Sequence, residues 1–136
     1  EIEKLYGRSE ASAAGDLFPE KPISLPAKEL MDVEATFRFD DAKAVGLEIS
    51  GERIVYDITE EKLEGAPLAS TDSEITIRVL VDRPMLEIIG SNGRVVITRS
   101  RKHPGQRGRV VAFAEGGEAE LLELSVRQLD SIWQNR

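Results

Sequence analysis

The segment 74–101 alternates apolar and other residues with a period of two, and this pattern constrains the fold more than any other feature of the sequence. The odd-numbered residues from Ile75 to Val81 are all apolar. The alternation resumes after the Arg-Pro pair at 83–84 and again after the Asn-Gly pair at 92–93. A period of two is that of a β-strand with one buried face, and Asn-Gly between apolar runs favours a hairpin because both turn residues need positive φ. The segment is therefore predicted to form three antiparallel strands joined by two tight turns.

Two-residue turns would also fix the cross-strand register of this meander. Val79 then lies opposite Ile88, and Ile88 lies opposite Ile97, so that one face is a continuous apolar strip. The other face is mixed, with Leu80 beside Glu87. A three-stranded meander with one apolar face needs a second layer to bury that face, and the remaining chain must supply it.

Further runs with a period of two lie on both sides of the meander. No segment shows the periodicity of a helix, and residues 60–73 hold at most one short strand. About eight to ten short strands separated by Asp, Gly and Pro turn signals are typical of a β-sandwich. We therefore predict an all-β fold, a two-layer antiparallel β-sandwich. The flanking predicted strands are 30–39, 44–50, 53–59, 109–115 and 119–129.

The first part of the chain differs in composition from the rest. Residues 9–16 are small and polar, which is typical of a linker, and the three prolines that follow favour an extended segment rather than a helix. We expect residues 1–29 to be a lead-in with a linker and an edge segment, and residues 30–136 to be a single sandwich domain. Because the chain begins at Glu1 rather than Met, we expect it to be a processed product or a piece of a longer polypeptide.

Composition narrows the classes of partner. The net charge of −7, from 18 basic and 25 acidic residues, argues against general nucleic-acid binding, and no apolar run is long enough to span a membrane. We expect neither a nucleic-acid nor a membrane partner. With no cysteine and a single histidine, disulfides and thiolate metal sites are excluded, and we expect no metal and no cofactor.

The segment 94–109 is the exception to the acidic balance, since it holds six basic residues and no acid. One interpretation is a phosphate or sulfate site. The interpretation that we favour is a polar strand face followed by a solvated loop, balanced by acids on neighbouring strands.

The central segment also resembles a known family. ITIRVLVDRPMLEIIGSNGRVVITRSR (75–101) is similar to the segment LRIFVDRSSVEVFxNDGRVVLTSR of the C-terminal domain of glycoside hydrolase family 32, which includes levanases, invertases and inulinases. The similarity extends to the strand 30–39 and to AFAEGGEAELLELSVRQLDSIW (112–133). Pro84-Met85 departs from the family's usual pair of serines. The resemblance implies a jelly-roll, lectin-like (concanavalin-type) sandwich.

The resemblance also implies a function. The chain would be a non-catalytic accessory domain of a fructan- or sucrose-cleaving enzyme, packed on a five-bladed catalytic propeller of the same polypeptide, in an extracellular or periplasmic location with a cytoplasmic one left open. The family's catalytic motifs belong to the propeller and none occurs in this sequence, so no catalytic residue is assigned and no turnover by this chain alone is expected. The alternatives are a carbohydrate-binding module for levan or inulin oligosaccharides, and a structural or assembly role in which the basic segment 94–109 and exposed aromatic residues dock a partner chain. A homo-oligomer is a further partner mode.

Four polar residues of the meander are candidate carbohydrate-binding or docking residues: Arg78, Asp82, Arg83 and Glu87. The last three match polar positions of the family segment. In the alternative that we favour, Asp82 satisfies turn amides while Arg83 and Glu87 pair across strands.

Two aromatic residues are candidate platforms for a sugar ring, namely Tyr56 and Trp133. The alternative for Trp133 is an anchor that holds the C-terminus on a sheet or on a neighbouring domain. The remaining aromatic residues that fall on predicted strands are assigned to the core by parity: Phe37, Phe39 and Phe113.

Overall fold

A computed structural model describes residues 10–82, 84–91, 93–101 and 108–129. Across these ranges the chain forms twelve β-strands and no helix, so it has no helical segment of the length and apolarity needed to cross a membrane. The strands are β1 (Glu10–Leu17), β2 (Ile23–Pro26), β3 (Leu30–Phe39), β4 (Ala44–Ile49), β5 (Glu52–Asp57), β6 (Lys62–Leu63), β7 (Ala66–Pro67), β8 (Glu74–Asp82), β9 (Met85–Gly90), β10 (Val95–Ser100), β11 (Arg109–Glu115) and β12 (Ala119–Gln128).

The strands form two six-stranded antiparallel sheets. Sheet 1 has the order β1-β12-β3-β8-β9-β10, and sheet 2 has the order β2-β11-β4-β5-β6-β7. The predicted all-β, two-layer antiparallel sandwich is therefore confirmed. The chain passes repeatedly between the two sheets, so five of the ten neighbouring strand pairs in the described part of the chain join strands that are not consecutive in sequence.

The central meander has the predicted register. Val79 pairs with Ile88, Ile88 pairs with Ile97, and Leu80 lies beside Glu87. The register follows from local physics, because a slip by one residue would move the whole apolar strip from the core to water.

The core lies between the sheets and consists mostly of aliphatic side chains. Full burial of one such side chain stabilises the fold by about 1.5–3 kcal/mol relative to exposure. Phe37 is fully buried and Phe39 packs against the core, as predicted. Among the fully buried side chains of both sheets are Leu17, Met31, Leu47, Ile49, Ile54, Ile77, Leu86 and Ile88.

The interpretation of residues 9–16 as a linker is wrong. Residues 10–17 form β1, which pairs with β12 at the edge of sheet 1, and β2 pairs with β11 at the edge of sheet 2. Alternating exposure is present in β1, but its inward side chains include Ala11 and Ala13, which give little apolar contrast in the sequence. Pro26 ends β2, as expected for an edge strand that does not need every ladder donor.

Phe113 is buried, as predicted for a core residue, but on the outer face of its sheet and not on the inner face. In β11 the residues Val110, Ala112 and Ala114 pack in the core, so the Phe113 ring lies on the outer face of sheet 2. The guanidinium of Arg53 covers it, with its carbon 4.2 Å from the ring centroid. The ring is buried because it is covered from outside, which parity along one strand does not reveal.

Candidate functional site

The outer face of sheet 1 carries a groove that we call the Leu80 groove. It has a volume of about 360 Å³ and opens to solvent. Strands β3, β8, β9 and β10 and the residue after β12 contribute its lining: Leu30, Leu80, Asp82, Met85, Leu86, Glu87, Thr98 and Leu129.

The middle of the groove is one rung of the sheet. Glu87 of β9 lies between Leu80 of β8 and Thr98 of β10. Side chains of directly paired residues project to the same face and lie about 4.5–5.5 Å apart at their Cβ atoms. The carboxylate of Glu87 therefore has a leucine on one side and a threonine hydroxyl on the other, as the predicted mixed face requires.

The end of the groove is the neighbouring rung. Asp82 pairs with both Leu30 and Met85, across β3 and β9 respectively. The chain beyond β12 continues alongside β3, because the Leu129 amide donates a hydrogen bond to the Leu30 carbonyl at 2.9 Å. Three apolar side chains thus border one exposed carboxylate.

The chemical character of the Leu80 groove is apolar and acidic. Among the described residues of its lining, the charged groups are the carboxylates of Asp82 and Glu87, and none is basic. Within the described ranges neither carboxylate forms a side-chain hydrogen bond or an ion pair. The structure thus brings together two of the six predicted site residues in one surface depression.

Arg78 lies on the same face but outside the groove. Its Nε and Nη2 donate to the two carboxylate oxygens of Asp32 at 2.9 and 2.7 Å. Asp32 is buried, with 3% of its surface exposed. A bidentate charge-assisted pair of this kind is a strong structural contact, so the guanidinium fork is already occupied on that side. Arg78 also lines a separate depression with Glu34.

Sequence reasoning missed Asp32 as the partner of Arg78. Both residues lie on polar faces of their strands, with Asp32 opposite Leu80 and Arg78 opposite Glu34, so that the pair is diagonal. The opposite charges were visible in the sequence. The adjacency of β3 and β8 was not, because more than thirty residues, including β4 to β7, separate them.

The hypothesis that Tyr56 is a sugar platform is wrong. Its side chain is fully buried, and its hydroxyl donates a hydrogen bond to the Leu68 carbonyl at 2.6 Å. Its ring stacks on Phe39 with a centroid distance of 6.0 Å. Burial, with a further contribution from the Glu61 carboxylate, raises the pKa of the Tyr56 phenol above 10.0. Tyr56 is a core residue with a satisfied hydroxyl.

Two predicted site residues, Arg83 and Trp133, lie outside the described residues. Among the six basic residues of the segment 94–109, Lys102 and Arg107 lie outside as well. The Arg99 guanidinium bonds the Glu64 carboxylate at 2.5 Å, and Arg109 donates to a serine hydroxyl of β2 at 2.9 Å. These contacts agree with the favoured interpretation of balanced strand charges.

The two six-stranded antiparallel sheets place the chain in a class of protein, the antiparallel β-sandwich modules. A family model described as "Glycosyl hydrolases family 32 C terminal" matches residues 1–128. The chain belongs to this family, which confirms the resemblance seen in the sequence.

The relatives of the chain are longer proteins. A levanase from Bacillus sp. (strain L7) is 36% identical over 73 residues, which are 53% of this chain and 8% of the levanase. The structure of exo-inulinase from Aspergillus awamori has a TM-score of 0.73 at 12% identity, covering 95% of this chain and 31% of that chain. A fructofuranosidase from Schwanniomyces occidentalis complexed with fructose has a TM-score of 0.68 at 15% identity, covering 88% and 33%. The chain thus spans less than a tenth of the levanase and about a third of each solved enzyme, and at these identities the solved structures show the fold alone.

Proposed function

We propose that this chain is the non-catalytic C-terminal sandwich of a glycoside hydrolase that cleaves fructan or sucrose, and that it packs on a catalytic propeller domain of the same polypeptide. The observation that carries the proposal is the family match over residues 1–128 together with the two-sheet fold. The names of the relatives, a levanase, an exo-inulinase and a fructofuranosidase, support fructose-containing substrates for the parent enzyme.

The physical role that follows is stabilisation of the propeller. A domain that covers apolar surface on its neighbour stabilises the neighbour's native state and not its unfolded state, which raises the free energy of unfolding of the whole. Deleting residues 10–129 from the parent polypeptide is expected to lower its melting temperature and to leave the chemistry of bond cleavage in place.

The test compares three preparations: the parent polypeptide, its truncated form and this chain alone. Each is incubated with levan, inulin and sucrose, and released reducing sugar is measured. The chain alone is expected to release none. Turnover by the chain alone that disappears on a single carboxylate-to-amide substitution would refute the proposal.

A second candidate function is a carbohydrate-binding module, and one observation favours it. The polar groups of the Leu80 groove are two carboxylates and the Thr98 hydroxyl, which can accept hydrogen bonds from sugar hydroxyls. Calorimetric titration of the chain with levan and inulin oligosaccharides tests this function. Heat that saturates for the native chain and is lost in Glu87→Gln would support it, and absence of heat at millimolar sugar would remove it.

We also propose an extracellular or periplasmic location, because a polymeric fructan meets its hydrolase only where the polymer is accessible. Fractionation of the source cells followed by detection of the parent polypeptide tests the location. Self-association, the remaining proposed partner mode, is tested by sedimentation velocity of the chain over a range of concentrations.

A further inference from the structure

We propose that the Leu80 groove is the surface through which the sandwich docks on the catalytic domain. Its occupant is an apolar side chain of that domain with a Lys or Arg side chain next to it. The inference rests on the proposed function, in that it requires a catalytic domain in the same polypeptide, and it adds which face docks and what chemistry that face recognises.

The outer face of sheet 2 is the alternative docking face, and several of its charged groups have partners within the chain. Arg53 forms an ion pair with Glu115 and covers the Phe113 ring. The Glu64 carboxylate bonds both the Arg99 guanidinium and the Val55 amide. This face therefore presents charged groups that already have partners, and docking there would cost the desolvation of formed ion pairs.

The remainder of the outer face of sheet 1 is also satisfied internally. Arg38 bonds Glu74 at 2.9 Å and Glu120 at 3.5 Å, which joins β8, β3 and β12 at one end of the sheet. Asp32 holds Arg78 in the middle of the sheet. Three acids of this face, Asp32, Glu74 and Glu120, thus have cations beside them.

In the Leu80 groove the balance of charge is different. Asp82 and Glu87 have no cationic partner among the described residues, and none of the described residues of the lining is basic. Two neighbouring carboxylates repel anionic partners such as phosphate-bearing lipids or nucleic acids, and they attract Lys or Arg. The missing counter-charge therefore comes from the occupant.

The exposed apolar side chains lie on the same sheet face as the Leu80 groove. The exposed large hydrophobic side chains of the described residues are Met85, with 38% of its surface exposed, and Val96, with 54%. Both lie on the outer face of sheet 1, on the strands that carry Glu87 and Thr98. Half-buried Leu30, Leu80 and Leu129 extend this surface. An apolar surface bordered by charges of one sign fits an apolar side chain accompanied by an opposite charge.

The test uses the reactivity of a single introduced thiol. The chain has no cysteine, so Met85→Cys places a unique thiol in the groove and Glu48→Cys places one on an exposed position of β4, on the outer face of sheet 2. Each variant is made in this chain and in the parent polypeptide. The labelling rate with a maleimide is followed by peptide mass spectrometry, and thermal unfolding verifies that both variants are folded.

The Met85→Cys thiol is expected to react about tenfold or more slowly in the parent polypeptide than in the chain alone, because labelling then follows the small undocked fraction. The Glu48→Cys thiol is expected to react at equal rates in both. If only the Glu48→Cys thiol reacts more slowly in the parent polypeptide, the groove is not the docking face. The proposed packing of the two domains would still hold. Equal rates for both thiols in both contexts would mean that neither face is covered, which overturns the groove as the docking face. The melting temperature of the truncated parent polypeptide then tests the domain packing separately.

The charge requirement is tested by adding Glu87→Lys to Met85→Cys in the parent polypeptide. Because the introduced cation repels the occupant's Lys or Arg, labelling is expected to return towards the rate of the isolated chain. Glu20→Lys, at an exposed position between β1 and β2, makes the same change in net charge and is expected to leave labelling slow. Slow labelling with Glu87→Lys would overturn the cationic half of the proposal.

Discussion

The ion pair between Asp32 and Arg78 gives the sharpest prediction about stability. The Asp32 side chain is 4% exposed and the Arg78 side chain is 43% exposed, so one partner is buried and the other is half in water. The two hydrogen bonds of 2.9 and 2.7 Å are charge-assisted. Asp32→Asn removes the charge and one acceptor while keeping the volume, which isolates the electrostatic contribution.

The expected loss in the free energy of unfolding on Asp32→Asn lies between two limits. Breaking a fully buried ion pair costs about 3–5 kcal/mol, because an uncompensated charge stays buried. Breaking a surface pair costs about 0.2–1 kcal/mol, because both groups rehydrate. After Asp32→Asn the charged group that loses its carboxylate partner is Arg78, which rehydrates through its exposed part. We therefore expect a loss of about 2 kcal/mol in the free energy of unfolding, near the value of about 1.5–3 kcal/mol for hydrogen bonds to charged groups.

The chain supplies a matched control on the same two strands. Arg38 of β3 and Glu74 of β8 form a pair at 2.9 Å in which both side chains are exposed, at 52% and 35%. Glu74→Gln is expected to cost less than about 1 kcal/mol. Urea unfolding followed by circular dichroism measures both variants, with equal m-values as the sign that the unfolded states are comparable. Equal costs for Asp32→Asn and Glu74→Gln would refute the argument that burial of the carboxylate sets the strength of the pair.

Three further predictions concern glycine packing and Tyr56. Gly46→Ala is expected to lower the free energy of unfolding by at least about 3 kcal/mol, because the new Cβ would lie 2.1 Å from the Ile54 carbonyl oxygen and overpacking forces the backbone to move. The control is Gly108→Ala, whose Cβ has its nearest contact at 3.5 Å. Equal melting temperatures for the two variants would contradict the steric reason. Tyr56→Phe is expected to lower the free energy of unfolding in urea by about 1–3 kcal/mol, since the buried Leu68 carbonyl loses its hydrogen-bond donor. An unchanged urea midpoint would show that this hydrogen bond contributes nothing to stability. The free energy of unfolding is expected to fall as pH rises above 10.0, because the Tyr56 phenol ionises there in the unfolded chain while its raised pKa keeps it protonated in the folded chain. The test is a pH series of unfolding for the native chain and for Tyr56→Phe. An equally steep fall in stability for both would exclude this phenol as the cause.

The register of the meander was predictable because its determinants are local. Alternation fixes which side chains of one strand share a face, and the two turns fix how far the next strand is displaced. Val79, Ile88 and Ile97 therefore align as the sequence predicts. The candidate site was partly predictable for the same reason, since Glu87 lies in the groove beside Leu80 by register alone.

The sequence predictions failed in two situations. In one, small side chains gave too little apolar contrast to reveal a strand, and in the other a residue from elsewhere in the sequence covered the side chain. β1 is a strand rather than a linker because β12 supplies hydrogen bonds to a segment of alanines, and alanine carries little apolar contrast of its own. Phe113 is buried on the outer face by Arg53, which belongs to another strand. Tyr56 is inaccessible because the Leu68 segment folds over its hydroxyl. Each case depends on a neighbour that is not adjacent in sequence.

The sequence by itself thus determined the all-β class, the two apolar strand faces that must meet and the register of β8, β9 and β10, since these depend on the two-residue period and on turn chemistry. Only the tertiary structure decided which strands became neighbours, and hence that Asp32 binds Arg78 and that Leu30 and Leu129 complete the Leu80 groove. The reason is that pairing of distant strands is selected by the burial of whole faces in one core. The sequence of one strand does not specify which distant strand will pair with it.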